Sequence, residues 1–100
     1  MNYTYMDVVL GVGGTSPEIH VTGYCDLVIQ GLTSGVVKLQ YLLNKTAALP
    51  APAWTDFPDG SFSANTFQTI FMSAIGVYFR LVGVANNAGV YVKVARGRDE

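Results

Sequence analysis

The sequence contains little charge. Only 13% of its 100 residues are Asp, Glu, Lys or Arg, and the formal net charge at pH 7 is -1, whereas soluble domains average about 25% charged residues. The basic residues form no patch of the kind that nucleic acid requires, so we expect no nucleic-acid partner. A surface short of charge favours association, so we expect copies of the chain or another protein to cover part of it. A compact, poorly charged monomer is the alternative.

Cysteine and histidine are also scarce, with one residue of each. A single cysteine, Cys25, excludes an internal disulfide and a thiolate metal cluster within one chain. Its position next to Tyr24 is typical of a buried strand thiol. His20 alternates with Ile19 and Val21, which places it on the solvent side of a strand. Because Ser-His-Asp and Cys-His centres need an oriented imidazole, we predict no catalytic, cofactor or metal site.

No segment has the composition of a membrane span or a secretory signal. Residues 60–79 carry no charge, but polar side chains interrupt them, so they cannot form a spanning helix. The N-terminus has neither a basic nor an apolar region, so we expect a soluble chain made in a cytoplasm. The length allows one modest core, which predicts a single domain over residues 1–100, with residues 1–6 as a candidate N-terminal arm.

Apolar and polar residues alternate at period two, and no helical period is sustained, so we predict an all-β fold. The clearest strand covers residues 35–42. Residues 77–82 and 90–95 show the same pattern and are separated by a segment rich in asparagine and glycine, so we expect them to pair as a hairpin. Further strands are predicted at 5–10, 18–22, 24–30 and 67–72. Six to eight strands at this spacing are typical of an antiparallel β-sandwich of jelly-roll or immunoglobulin-like type.

The connections between these strands are also predicted from their turn residues. Gly23 indicates a bend or bulge that could make residues 18–30 one bent strand. Asp59 and Gly60 indicate a turn. The one long connection covers residues 45–58, where prolines disfavour a central strand, and a turn of helix is feasible at 46–49.

Two motifs superficially suggest chemistry. The glycine-rich residues 11–14 lack the lysine of a phosphate-binding loop, so we interpret them as a turn. Asp56 and Asp59 could serve as acid and base in sugar hydrolysis or bind calcium. Their sequence context, Asp-Phe-Pro-Asp-Gly, is instead typical of a turn in which carboxylates accept backbone N–H groups.

Aromatic residues and prolines give the candidate interface residues. Trp54 and Phe57 flank a loop in which Pro50 and Pro52 also lie, and such rings could stack on sugars or on a protein. Alternatively, Trp54 folds back to cap the open end of the sandwich. Tyr3 and Tyr5 alternate on a segment that could add a strand to a neighbouring subunit; an ordinary edge strand within the domain is the alternative. These positions are the interface residues predicted here: Tyr3, Tyr5, Pro50, Pro52, Trp54 and Phe57.

Several of these segments together resemble small β-sandwich structural proteins of tailed bacteriophages. A strand with the sequence Gly-Val-Val-Lys-Leu-Gln-Tyr (35–41) is followed by a loop ending in Trp54, then by Tyr-Phe-Arg-Leu (78–81), and last by a valine-rich strand (89–94). The resemblance covers about the last two-thirds of the chain. It implies a shared fold more directly than a shared function, since one fold hosts many functions. The loop before Trp54 departs from the layout, because it is apolar where relatives have Asp, Gly and Ser.

An apolar loop is better explained by contact with another protein than by free solvent, so the expected function is that of a head decoration, or cement, protein. Such a protein would act as a dimer or trimer on the capsid surface of the virion and bridge subunits of the major capsid protein. It would need no cofactor and perform no catalysis. A carbohydrate-binding adhesion module of a tail or fibre is the first alternative, with Trp54 and Phe57 as the stacking platform. A small enzyme is the second alternative.

Overall fold

All regular structure in the described residues is β-strand. The computed structural model describes residues 3–42 and 54–96. The strands there are β1 (Tyr3–Leu10), β2 (Ile19–Gln30), β3 (Val36–Leu42), β4 (Thr55–Phe62), β5 (Thr66–Val84) and β6 (Val90–Arg96). They form one antiparallel sheet in the order β1-β6-β2-β5-β3-β4. The all-β prediction is therefore confirmed.

Two long strands, β2 and β5, pass through both halves of the sheet. β2 bends at Gly23, where the backbone φ is 74° and the register against β5 shifts on both sides; glycine adopts such a φ without steric cost. β5 runs unbroken over 19 residues. Its residues 66–73 pair with β2 beyond the bend, whereas residues 78–84 pair with β3. The sheet folds over on itself as a result, and the prediction of one bent strand across Gly23 is confirmed.

The folded sheet has two halves, which we call layer I and layer II. Layer I contains β1, β6, residues 24–30 of β2 and residues 66–73 of β5; layer II contains β4, β3, residues 77–84 of β5 and residues 19–21 of β2. Alternate side chains of both layers meet in one core, as the period of a strand requires. The largest fully buried side chains are Phe79, Leu27, Ile29, Leu39 and Leu81. This arrangement is the predicted single β-sandwich.

The predicted C-terminal hairpin is wrong. β6 pairs with β1 and β2, whereas the end of β5 pairs with β3. Residues 85–89 therefore cross from layer II to layer I instead of reversing the chain within one layer. The reason is that Asn86 and Asn87 do not form a two-residue turn between paired strands; their side chains bind two other loops.

β4 begins at Thr55, so it occupies the last part of the connection that was predicted over 45–58. The earlier part of that connection, including the feasible helix turn at 46–49, lies outside the described residues.

The predicted turn at Asp59 and Gly60 is wrong, because both residues belong to β4. Residues 57–60 of β4 bulge opposite a single residue of β3, and Asp59 has a φ of 56°. The proline in this strand is tolerated because β4 is at the edge of the sheet.

No helix in the described parts of the chain is long and apolar enough to cross a membrane.

Candidate interaction surfaces

The predicted aromatic platform lies on layer II, where its two rings have different surroundings. Phe57 is half-buried and packs against the core, with its ring in T-shaped contact with Tyr41 at 6.2 Å and with Phe79 at 5.7 Å between centroids. Trp54 is also half-buried, and the guanidinium of Arg80 lies 4.4 Å from the centroid of its ring. Both rings therefore already have partners within the domain.

Arg80 also belongs to a polar network that crosses the outer face of layer II. Its Nε donates to Oε1 of Gln40 at 2.9 Å, and Nε2 of Gln40 donates to Oδ1 of Asp56 at 3.0 Å. The other carboxylate oxygen of Asp56 lies 3.6 Å from the ammonium of Lys38. The network ties β5, β3 and β4 together through two hydrogen bonds and one ion pair across strands.

The remaining predicted interface residues are placed as follows. Tyr3 is the first residue of β1 and is paired with Arg96 of β6 in the same chain. Tyr5, also in β1, is half-buried and packs against the core. The candidate arm therefore contributes residues 3–6 to an edge strand of the domain. Pro50 and Pro52 lie outside the described residues.

The outer face of layer I, by contrast, exposes aromatic rings that the sequence reasoning did not select. Phe67 is 75% exposed, Tyr24 is 64% exposed and Phe71 is 47% exposed. Tyr24 and Phe71 are direct partners on neighbouring strands, with ring centroids 4.9 Å apart, and Phe67 is the partner of Val28. We call these four residues the aromatic face. Large exposed apolar groups that adjoin one another mark an interaction surface more strongly than scattered ones.

A third surface, the loop end, consists of the three loops at residues 11–14, 31–35 and 85–89. Asn86 is 2% exposed; its Oδ1 accepts from the backbone N–H of Gly13 at 2.8 Å, and its Nδ2 donates to the carbonyl of Gly11 at 3.0 Å. The predicted turn at 11–14 is confirmed by the bond from the Gly14 N–H to the Gly11 carbonyl.

Asn87 fastens the middle loop in the same way. Its Oδ1 accepts from the N–H groups of Thr33 and Ser34 at 2.8 and 3.2 Å, and its Nδ2 donates to the carbonyl of Gly31 at 2.8 Å. The three loops contain no ionisable residue. Val12 is 71% exposed and Val84, at the last position of β5, is 43% exposed. The loop end is thus fixed by side-chain hydrogen bonds, uncharged and partly apolar.

Searches for a matching protein family, a similar curated protein and a similar solved structure found no match for this chain.

His20, Asp56 and Asp59 are the titratable residues closest in type to a catalytic or metal-binding group, and only His20 is placed as expected. His20 is exposed on β2, beside the ring of Tyr78 at 4.8 Å between centroids, which confirms its predicted orientation. Asp56 is engaged in the network described above, and Asp59 lies in the bulge of β4. No group of three or more potential metal-ligating side chains occurs within residues 3–42 and 54–96.

Cys25 is a buried thiol, as predicted, with 2% of its surface exposed. Burial raises its pKa from 9.0 to about 11, and the neighbouring carboxylate of Asp26 adds to the effect. Both causes disfavour the thiolate, which is the form that reacts with electrophiles.

We expect Cys25 to resist alkylation by iodoacetamide at pH 8 in the folded protein and to react fully in denaturant, as followed by mass spectrometry. Because the folded pKa is raised above the unfolded value, the thiol also contributes stability that is present below pH 9 and lost as the pH rises towards 11. This part of the pH dependence should be absent from Cys25→Ala. Fast alkylation of the folded protein would contradict the burial of the thiol.

Proposed function

We propose that this chain is a structural protein of a bacteriophage virion that attaches to the capsid surface, bridges subunits of the major capsid protein and stabilises the head. It is made in the host cytoplasm, works without a cofactor and acts physically, with no catalytic step. The observation that carries this proposal is the loop end, which has the properties of a docking surface. The resemblance to small sandwich proteins of tailed phages supports it.

The rigidity of the loop end favours lasting attachment. Binding costs free energy when loops must become ordered at an interface. In this chain the side chains of Asn86 and Asn87 already hold three loops in place, so that cost is reduced before a partner arrives.

The chemistry of the loop end favours a protein partner. Val12 and Val84 offer apolar surface whose burial is favourable, and the loops around them contain no charge that would have to lose its hydration. A capsid repeats the same subunit many times, so a small contact repeated at every junction adds up through multivalency. Each occupied junction makes separation of the subunits more costly.

The contacts of Trp54 and Phe57 weigh against the adhesion alternative. A sugar-binding platform needs free ring faces, whereas Arg80 covers one face of Trp54 and the ring of Phe57 packs on the core. Capsid attachment is therefore the function that we propose.

The proposal is tested with empty capsids assembled from the major capsid protein of the virus that encodes this chain. We expect the purified chain to co-sediment with these capsids and to raise the temperature at which they open. Val12→Asp should abolish co-sedimentation, because it places a charge in the apolar part of the loop end.

Thr55→Asp is the matched control. It adds the same charge at an exposed position of β4 next to Tyr41, at the end of β3 far from the loop end, and should bind like the unchanged chain. Failure of the unchanged chain to co-sediment would refute capsid attachment. Equal loss of binding in both variants would refute the loop end as the contact.

A further inference from the structure

Part of β5 has an open edge in layer I. Residues 66–71 pair with β2 on one side, and in the described residues no strand pairs with their other side, because β3 extends only along residues 78–84. Phe67, Gln68 and Thr69 are all exposed, although successive residues of a strand point to opposite faces. Solvent therefore reaches both faces of the sheet at this edge.

The sheet protects its two terminal strands against further pairing, but not this edge. β4 carries Pro58 and a wide bulge, both of which obstruct an added strand. β1 carries Asp7, whose hydrogen bond with the hydroxyl of Tyr91 raises the pKa of that tyrosine, and a charged residue on an edge strand disfavours further pairing. Residues 66–71 contain no proline, glycine or charge.

We propose that two copies of this chain pair antiparallel along residues 66–71 of β5, with Thr69 of one copy opposite Thr69 of the other. This register places Phe67 of each copy directly opposite Phe71 of its neighbour. The contact is isologous, as in most homodimers, and it joins the two layer I sheets into one continuous sheet.

This register extends the aromatic face across the interface. Within one copy, Phe71 already contacts Tyr24, and Phe67 lies beside Val28. In the dimer, Phe67 of the second copy follows Phe71, which makes a row of Tyr24, Phe71, Phe67 and Val28 shared between two chains. Cross-strand aromatic pairs stabilise a sheet. The two rows cover the ring of Phe67, which is 75% exposed in a single copy.

The same register avoids electrostatic repulsion. The nearest charged side chain is that of Asp26 on β2, whose carboxylate accepts a hydrogen bond from the Thr69 hydroxyl at 2.6 Å. The two Asp26 residues of a dimer would be separated by three strand spacings, about 14 Å. That distance exceeds the Debye length of roughly 8 Å at physiological ionic strength, so their repulsion is screened.

The dimer does not depend on capsid attachment, because it uses β5 and leaves the loop end free. A strand edge with four phenyl rings is a small interface, so we expect dimerisation in the micromolar range. Light scattering at about 1 µM to several hundred µM, without capsids, should show the mass rise from one chain to two. The result is therefore independent of the co-sedimentation test.

Phe67→Lys should weaken the dimer about tenfold or more, because it removes two aromatic pairs and adds charge to the edge. Val12→Lys changes a residue of similar exposure, 71%, at the loop end and should leave the dimer unchanged. A monomer at every concentration, a trimer, or a dimer insensitive to Phe67→Lys would overturn the proposal.

The register is tested by Thr69→Cys under mild oxidation. Directly opposed residues have Cβ atoms about 4.5–5.5 Å apart, close to the separation that a disulfide needs, so the variant should form a cross-linked dimer on a non-reducing gel. Cys25 does not compete, because it is 2% exposed. Val12→Cys is the control and should remain uncross-linked. Absence of a cross-link at residue 69, or equal cross-linking of the control, would overturn the proposed pairing.

Discussion

Replacing Gly35 by alanine is expected to lower the free energy of unfolding by at least about 3 kcal/mol. A Cβ at this position would lie 2.3 Å from the carbonyl oxygen of Ala85 and 2.6 Å from the N atom of Asn86. Both are backbone atoms, so relief requires the loops themselves to move apart. The φ of Gly35 is also 71°, which adds the cost of a left-handed conformation. Thermal unfolding should show a loss of roughly 15 °C in Tm.

Gly89→Ala separates the two causes. Gly89 has a φ of 79°, but a Cβ there would meet nothing within 4 Å. This variant carries the conformational cost alone, about 1 kcal/mol. Equal destabilisation by the two substitutions would show that the close approach of residues 35 and 85 does not contribute.

Asn86→Ala is expected to cost about 3 kcal/mol, measured by urea unfolding. The amide of Asn86 makes three hydrogen bonds, to the Gly13 N–H, the Gly11 carbonyl and the Asn87 carbonyl. Because Asn86 is 2% exposed, water cannot readily replace the amide, and the backbone groups of the first loop would be left unsatisfied. The placement of the Asn86 side chain also requires a glycine at residue 83, because a Cβ added to Gly83 would lie 2.3 Å from the Asn86 Oδ1 atom.

Asn87→Ala is the matched control for this prediction. The Asn87 side chain also binds several backbone groups, but these bonds are exposed, so water can take over after truncation. We expect a cost of about 1 kcal/mol. If Asn87→Ala lowered the free energy of unfolding more than Asn86→Ala, the buried amide of Asn86 would not be the main stabilising group of the loop end.

The sequence predicts most strand positions, but it predicts neither β4, which occupies part of the expected connection and the expected turn, nor the partners of the strands. The alternation at 35–42 and 90–95 located β3 and β6, and Gly23 located the bend, because these features are local. Pairing is not local. The asparagines at 86 and 87 suit a hairpin turn by conformation, yet their amides bind loops that are distant in sequence, and no pattern of neighbouring residues reveals those partners.

The sequence does not predict the aromatic face, for a related reason. Trp54 and Phe57 are predicted interface residues because they are aromatic and lie near prolines, but the presence of a ring does not determine whether a side chain is exposed. Along residues 24–30 of β2, Asp26 and Gln30 mark the exposed face, and Tyr24 lies on that same face. Periodicity therefore indicates which face is exposed, but not that Tyr24 lies beside Phe71 of another strand. The sequence feature that indicates this surface is the absence of charged residues from 60 to 79, a range that includes the open edge of β5.

The pairing of β1 with β6 restricts when the domain can fold during synthesis. The first strand pairs with the last, and Tyr3 lies opposite Arg96, so layer I lacks a central strand until the ribosome has released residues 90–96. Until then, β1 and the adjoining edge of β2 lack the strand that pairs with both of them in the described residues. Strand pairing between such distant segments is slow and leaves unpaired edges exposed to aggregation. Placing the C-terminal strand inside the sheet therefore lengthens the time for which the nascent chain exposes unpaired strand edges.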